Sequence, residues 1–278
     1  MPVNARRFIR KMRGGAQAHL LEAEDGRFYV VKFVNNPQHR RILVNELIAS
    51  EFLQYLQISA APGAIVRVTP NFLEANPEVY LQLGHGRIPV AAGWHFGSAF
   101  PGDPNRVAVF DFVPDALLVK VANMRDFLGV LAFDKWLANA DARQCVYVRA
   151  RLREFAPAYA DHPLRVGFIS LMIDHGFVLN GPHWDFPDSP PQGLYMRTSV
   201  YQSVRGWDDF QPWLDRIVNF PEHVVDRTLK QIPRAWLDGD EPILERTLEQ
   251  LLARRRRVPD LIRDCARGRV NPFPNWSS

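Results

Sequence analysis

A change of hydrophobic period along the chain restricts its fold more than any other feature. Near the N-terminus apolar residues alternate with polar ones, the spacing of strands. In the last third they recur at helical spacing. A chain built this way predicts an α+β arrangement with a β-rich N-terminal portion, a mixed middle and a helical tail. Two lobes with a cleft between them follow as the expected architecture.

The clearest strand is 28–34, Phe-Tyr-Val-Val-Lys-Phe-Val, entered from a hairpin turn at Asp25-Gly26. With the segments before it, 6–34 reads as a small antiparallel sheet. Asn36-Pro37 then predicts a helix N-cap followed by proline at the first helical position. From there to about Ile58, Ile42, Leu43, Leu47, Phe52, Leu53 and Leu56 mark one helix face. The stretch 60–120 is rich in Pro and Gly, holds strand-like pieces at 64–68 and 107–112, and is expected to carry the interlobe connection. Beyond it a helix is expected over 125–138 and strands over 146–149 and 166–173. Four prolines make 181–193 an extended loop. Helices are expected over 208–218, 221–231, 241–256 and 258–266, with Pro221 and Pro242 at first helical positions.

Composition removes several classes of function. Hydrophobic residues are 47% and charged residues 23%, enough apolar material for a real core. Apolar runs long enough to cross a bilayer are missing. The basic N-terminus, with Arg6, Arg7, Arg10, Lys11 and Arg13, has no apolar stretch behind it and is not a secretory signal. Two unpaired cysteines fit a reducing cytoplasm, and eight histidines without HExxH spacing argue against a zinc enzyme. The net charge of +4 decides little, although this cluster and Arg254 to Arg257 leave a nucleic-acid surface open. Solvated helix faces are the plainer account of both.

Five places could carry phosphoryl chemistry, each with a plainer account beside it. Gly14, Gly15 and Ala16 lie between two expected strands, where small residues let backbone N–H groups approach a phosphate; paired glycines also mark ordinary turns. Lys32 sits in an apolar strand and either snorkels to the surface or meets an anion. Glu46 shares a helix face with Ile42, Leu43 and Leu53. A carboxylate facing the core needs a partner, and Lys32 is the evident one; the alternative is that it borders the stripe and is solvated. Asp141 follows a strong helix, placed either to receive a hydroxyl proton or simply to make a turn. Asp174 ends an apolar strand before a glycine-containing turn, the way a magnesium-binding aspartate is presented, and turn chemistry is again the alternative. The five occur in the order that phosphoryl transfer from ATP uses them.

The segments GGAQAHLLEAEDGRFYVVKF (14–33), NPQHRRILVNELIASEFLQ (36–54), HFGSAF (95–100), FDKWLANADARQ (133–144) and IDHGF (173–177) resemble the HipA-like kinase family. That family is distantly similar to the phosphatidylinositol 3/4-kinases. The resemblance spans roughly 8–260. It implies a bilobal protein-kinase-like fold, with 1–112 as the ATP-binding lobe and 113–278 as the helical catalytic lobe, and it implies ATP and Mg²⁺. Lys32 would contact the phosphates with Glu46 as its helix partner. Asp141 would be the catalytic-loop aspartate and Asp174 the metal ligand.

Two departures stand out. The family usually places an asparagine five residues after the catalytic aspartate, as a second metal ligand, and here that position is Val146. Gln144 or Asn139 could supply the oxygen instead. Nor is there a Ser or Thr before Ser50, so self-inhibition through a phosphorylated loop serine is not available. The expected activity is a serine/threonine protein kinase with a protein substrate. The alternatives are a pseudokinase, which Val146 favours, and a nucleic-acid-binding module built on the terminal arginines.

Overall fold

The computed structural model describes residues 2–154, 160–162, 164–268 and 271–276. Strands β1 (Val3–Lys11), β2 (His19–Ala23) and β3 (Phe28–Lys32) run antiparallel in sequence order. Helix α1 (Arg41–Leu56) follows, then β4 (Gly63–Val68) and the short helix α2 (Pro70–Ala75). A hairpin of β5 (Tyr80–Leu83) and β6 (Gly86–Pro89) leads to β7 (Gly93–Ala99). The 6–34 sheet is antiparallel as expected, but it is not open. β7 pairs with both β3 and β4, and β1 closes a five-stranded barrel by pairing parallel with β4. Closure removes the sheet edges, and Leu21, Tyr29, Val31, Val66 and Val68 pack together in the barrel cluster.

Helix α1 begins four residues later than the Asn36 cap predicts. Asn36 instead closes a turn: Oδ1 accepts from the Gln38 N–H at 2.9 Å and Nδ2 donates to the Phe33 carbonyl at 2.7 Å. This local bonding competes with helix initiation, and His39 at φ 114° interrupts the helical path. From Ile42 to Ser50 every residue of α1 is buried. The helix packs both against β4 and β7 and against helices from the second half of the chain. That position explains why its apolar stripe is wide and indistinct.

The remainder holds β8 (Val109–Phe110), α3 (Asp115–Leu118), α4 (Asp126–Trp136), β9 (Gln144–Arg151) and β10 (Val166–Ile173). β9 lies between β10 and β8 in a three-stranded antiparallel sheet. Helices α5 (Trp213–Val218), α6 (Glu222–Gln231), α7 (Arg234–Leu237), α8 (Glu241–Arg254) and α9 (Val258–Ala266) complete the chain. The helix expected over 208–218 is two pieces, a 3₁₀ turn at Trp207–Phe210 and α5, because Pro212 interrupts the hydrogen-bond ladder. Pro221 is the cap before α6 and Pro242 its helix's second residue, each one position from the expected first.

One aromatic cluster fixes the helices that carry the candidate site. Trp136 at the end of α4 stacks on Phe52 of α1 at 5.6 Å and packs on Phe220 at 4.8 Å. Its indole N–H donates to the Leu251 carbonyl of α8 at 2.8 Å. Such a ring buries a large apolar area and satisfies its single donor. Among the described residues, no helix is long and apolar enough to cross a membrane.

Candidate active site

β3 ends on Lys32, which is only 7% exposed and turns its ammonium toward two carboxylates. It forms an ion pair with Glu46 Oε1 and donates to Asp174 Oδ1 at 2.6 Å. Glu46 is fully buried on α1, and the same oxygen accepts the His175 N–H at 3.0 Å. Burial disfavours the Lys32 charge, but Glu46 and Asp174 outweigh it and hold the pKa above its ordinary value. Burial likewise pushes the Glu46 carboxyl up, against the pull of Lys32. The sequence leaves open whether Lys32 snorkels or meets an anion, and whether Glu46 is solvated. In the structure they meet each other and Asp174.

Asp174 follows β10 in the left-handed region, at φ 56°. A non-glycine residue held there stores strain, of the kind that clusters at functional sites. Gly176 lets α1 approach, since a Cβ there would press on Ile42 and come within 3.5 Å of Glu46 Oε1. Asn45 of α1 faces the same turn. Its Nδ2 lies 2.7 Å from the Gly176 carbonyl and 2.9 Å from that of Val178, and Oδ1 accepts from Trp184 Nε1 at 2.8 Å.

Asp141 lies at an exposed corner just before β9. Oδ1 accepts from the Ala142 N–H at 2.7 Å, and Oδ2 accepts from Gln144 Nε2 at 3.2 Å. Asn139, considered above as a metal ligand, is internal to this loop: Oδ1 accepts the Asp141 N–H at 3.2 Å and Nδ2 donates to Asp134 at 3.0 Å. Gln144 pairs in register with Ile173, immediately before Asp174. Val146 packs with Val148, Ile169 and Leu171 in an apolar cluster. It offers no oxygen.

A buried network that sequence reasoning missed joins the Asp141 loop to the Asp174 turn. Asp134 and Arg143, at 0% and 2% exposure, form an ion pair. Arg143 Nη1 donates to the Ile173 carbonyl at 3.0 Å and lies 2.8 Å from His175 Nδ1. Arginine only donates, so Nδ1 accepts and Nε2 carries the proton. Burial, then the nearby Arg143 and Lys32 charges, hold His175 neutral by keeping its pKa far below the usual value. The available sequence signal was a charged pair, Asp134-Lys135, set between the apolar helix run Phe-Leu-Gly-Val-Leu-Ala-Phe and Trp136-Leu137.

The Gly14-Gly15-Ala16 turn caps the hairpin of β1 and β2. Gly14 at φ 121° needs glycine's freedom. Gln17 anchors the turn to β5, its Nε2 donating to the Gln82 carbonyl and its Oε1 accepting from the Gln82 N–H, each at 2.6 Å. The turn shares no hydrogen bond with Lys32 or Asp174 among the described residues. Two cavities, of about 370 and 260 Å³, lie away from the cluster, behind the C-terminal half of α1 and beside the β5–β6 hairpin.

His95, in a segment without an assigned role, ties down the end of β3. Nδ1 accepts the Val34 N–H at 3.0 Å and Nε2 donates to the Ala91 carbonyl at 3.0 Å. Burial pushes its pKa down to about 4, so the ring is neutral. The terminal arginine clusters are partly neutralised. Arg6 and Arg7 face Glu22, and Arg254 and Arg257 face Asp188.

Among the described residues no three His, Cys, Asp or Glu side chains converge as a preformed cation cage. Asp174 Oδ1 meets Lys32 and its Oδ2 has no hydrogen-bond partner among those residues, while Gln144, in register with Ile173, carries an amide oxygen on the adjacent strand. Such a partial set suits a hard cation that keeps waters and binds together with phosphate oxygens.

A family model described as HipA-like kinase matches residues 6–147. A search of curated proteins gives no match. Among solved structures, a Golgi casein kinase aligns with TM-score 0.53 and 12% identity, over 96% of this chain and 73% of that one. A Golgi casein kinase with Mn and ADP bound aligns with TM-score 0.51 and 11% identity over the same shares. At these identities the likeness is one of fold.

Proposed function

Because this chain belongs to the HipA-like kinase family, we propose that it is an ATP-dependent phosphotransferase acting on a serine or threonine hydroxyl of a protein. We read 1–112 as a nucleotide-binding lobe and 113–278 as the catalytic lobe, with α1 at their junction. The observation that carries this reading is the convergence of Lys32, Glu46 and Asp174, brought from three separate elements. An ammonium held by two carboxylates stays charged and aimed, ready to exchange one of them for a phosphate oxygen.

Each residue then has one task. Lys32 binds the nucleotide phosphates, and buried Glu46 fixes its direction. The Gly14, Gly15 and Ala16 backbone covers the phosphates. Asp174 and Gln144 would hold Mg²⁺, which when bound neutralises charge on the phosphates. Asp141 orients the acceptor hydroxyl and takes its proton. Arg143 keeps Asp141 and Asp174 in fixed relation.

A second reading is favoured by one observation: Val146 lies in an apolar cluster where the family usually has an asparagine. A chain with one metal-binding carboxylate could bind nucleotide without transferring phosphate. Incubation with ATP and Mg²⁺ or Mn²⁺, followed by mass spectrometry of the protein and a mixed peptide pool, decides between the readings. Phosphate incorporation by the wild type and not by Asp141→Asn supports transfer. Nucleotide binding without incorporation under either cation supports the second reading.

A further inference from the structure

The segment after the Asp174 turn, 182–194, has little regular structure yet is tied down along its length. At its start, Arg41 Nη1 donates to the Pro182 carbonyl at 2.8 Å and the guanidinium lies over the Trp184 ring at 4.4 Å. At its end, the Gly193 N–H donates to the Asp141 carbonyl and the Arg143 N–H to the Leu194 carbonyl, each at 3.1 Å. Gly193 has φ 69°, and a Cβ there would press on Asp134.

The middle is held by charge. Asp188 pairs with Arg254 of α8 at 2.7 Å and with Arg257 just beyond it. Lys135 of α4, 2% exposed, donates to the carbonyls of Ser189 at 3.1 Å and Pro190 at 2.8 Å. The Cys265 thiol donates to the same Pro190 carbonyl at 3.3 Å.

Arg254 is 5% exposed, and a buried guanidinium requires a counter-ion. Two arginines converging on a loop form the kind of site that can receive an added phosphate and order the loop through it. Here a carboxylate from the loop itself occupies that site. We propose that Asp188 is a positioning residue that holds 185–193 against the end of α8, which is itself tied to α4 by Arg254 donating to the Lys135 carbonyl, and so braces the Asp141 loop, without any phosphorylation of the segment. The bridge engages Arg254 and Arg257 of the basic run at 254–257, which the transfer chemistry leaves unused. The proposal rests on the kinase reading above. Releasing Asp188 frees the segment at its centre and weakens the Gly193–Asp141 bond, whereas among the described residues Lys32, Glu46 and Asp174 form no hydrogen bond or ion pair with it.

The test compares wild type, Asp188→Asn, Asp188→Glu and Arg257→Gln by amide hydrogen exchange, by ADP binding with Mn²⁺, and by phosphoryl transfer. Arg257→Gln weakens the bridge while leaving Arg254 its counter-ion, which guards against a folding failure in Asp188→Asn. Exchange at 189–194 should rise about tenfold in Asp188→Asn and Arg257→Gln, the scale of one lost charge-assisted hydrogen bond. Transfer should fall with kcat, ADP affinity should hold, and Asp188→Glu should restore both exchange and transfer. Unchanged exchange in Asp188→Asn and Arg257→Gln overturns the proposal. So does loss of ADP binding in step with transfer, which would mark a merely structural bridge. Wild-type protein that binds no nucleotide overturns the kinase reading, and the role assigned to the bridge goes with it even where exchange shows the segment held.

Discussion

Lys32 and Asp174, separated by 142 positions in the sequence, meet at 2.6 Å. The contact joins the rim of a β-barrel to the end of a strand in the helical part of the chain. It brings a charged nitrogen and a strained, half-exposed carboxylate to one point, and the proposed chemistry is built around that point.

Removing Lys32 should cost more than nucleotide affinity. Glu46 is fully buried, so Lys32→Ala leaves an uncompensated carboxylate, at a cost of about 3–5 kcal/mol. Paired with Glu46→Gln, Lys32→Met removes both charges together and should recover most of that stability. Denaturant unfolding checks this, and nucleotide titration of the double variant should still show binding lost. A double variant no more stable than Lys32→Ala contradicts the pairing.

Asp141→Asn should separate binding from turnover. Among the described residues the side chain accepts only local hydrogen bonds, from Ala142 and Gln144, and an amide oxygen can replace one of them. We expect transfer to fall by roughly 10²–10⁴-fold, the usual contribution of a positioned base, with nucleotide affinity retained. A turnover assay beside a binding titration checks it. Equal loss of both would place Asp141 in binding instead.

How much of this was legible in the sequence depended on the range of the interactions. The β3 strand, α1 and the β10 strand could be read from local periodicity, and so could the candidacy of Lys32, Glu46 and Asp174, charges within or at the end of apolar stretches. The start of α1 could not, because the Asn36 turn and a capped helix draw on the same side-chain hydrogen bonds. Barrel closure was hidden because the parallel pairing of Val3 with Val66 leaves no local pattern. The Asp134–Arg143–His175 network was hidden for a related reason. A charge in a helix reads as a solvated face until the partner that buries it is known.

Acid should weaken the fold through His95. Its folded pKa is about 4, below the ordinary 6.5, so the unfolded chain binds a proton first as pH falls. The contribution is fully present above about pH 6.5 and is lost between there and about pH 4, on the order of 3 kcal/mol in all. His95→Gln should flatten the stability–pH slope in that window by up to about 1.4 kcal/mol per pH unit, measured by urea unfolding at several pH values. His19 and His175 are also held below their ordinary pKa by burial, so some slope remains. An unchanged slope contradicts the neutral latch between Val34 and Ala91.

The most direct test is calorimetric titration of a non-hydrolysable ATP analogue into wild type and Asp174→Asn, with and without Mg²⁺. Asparagine tolerates the left-handed backbone at this position, so the turn is expected to survive the substitution. Binding by the wild type that strengthens with Mg²⁺, and loss of that cation dependence in Asp174→Asn, is the predicted result. A wild type that binds no nucleotide, or a variant whose binding responds to Mg²⁺ as the wild type's does, would contradict a phosphate site built on Lys32, Glu46 and Asp174.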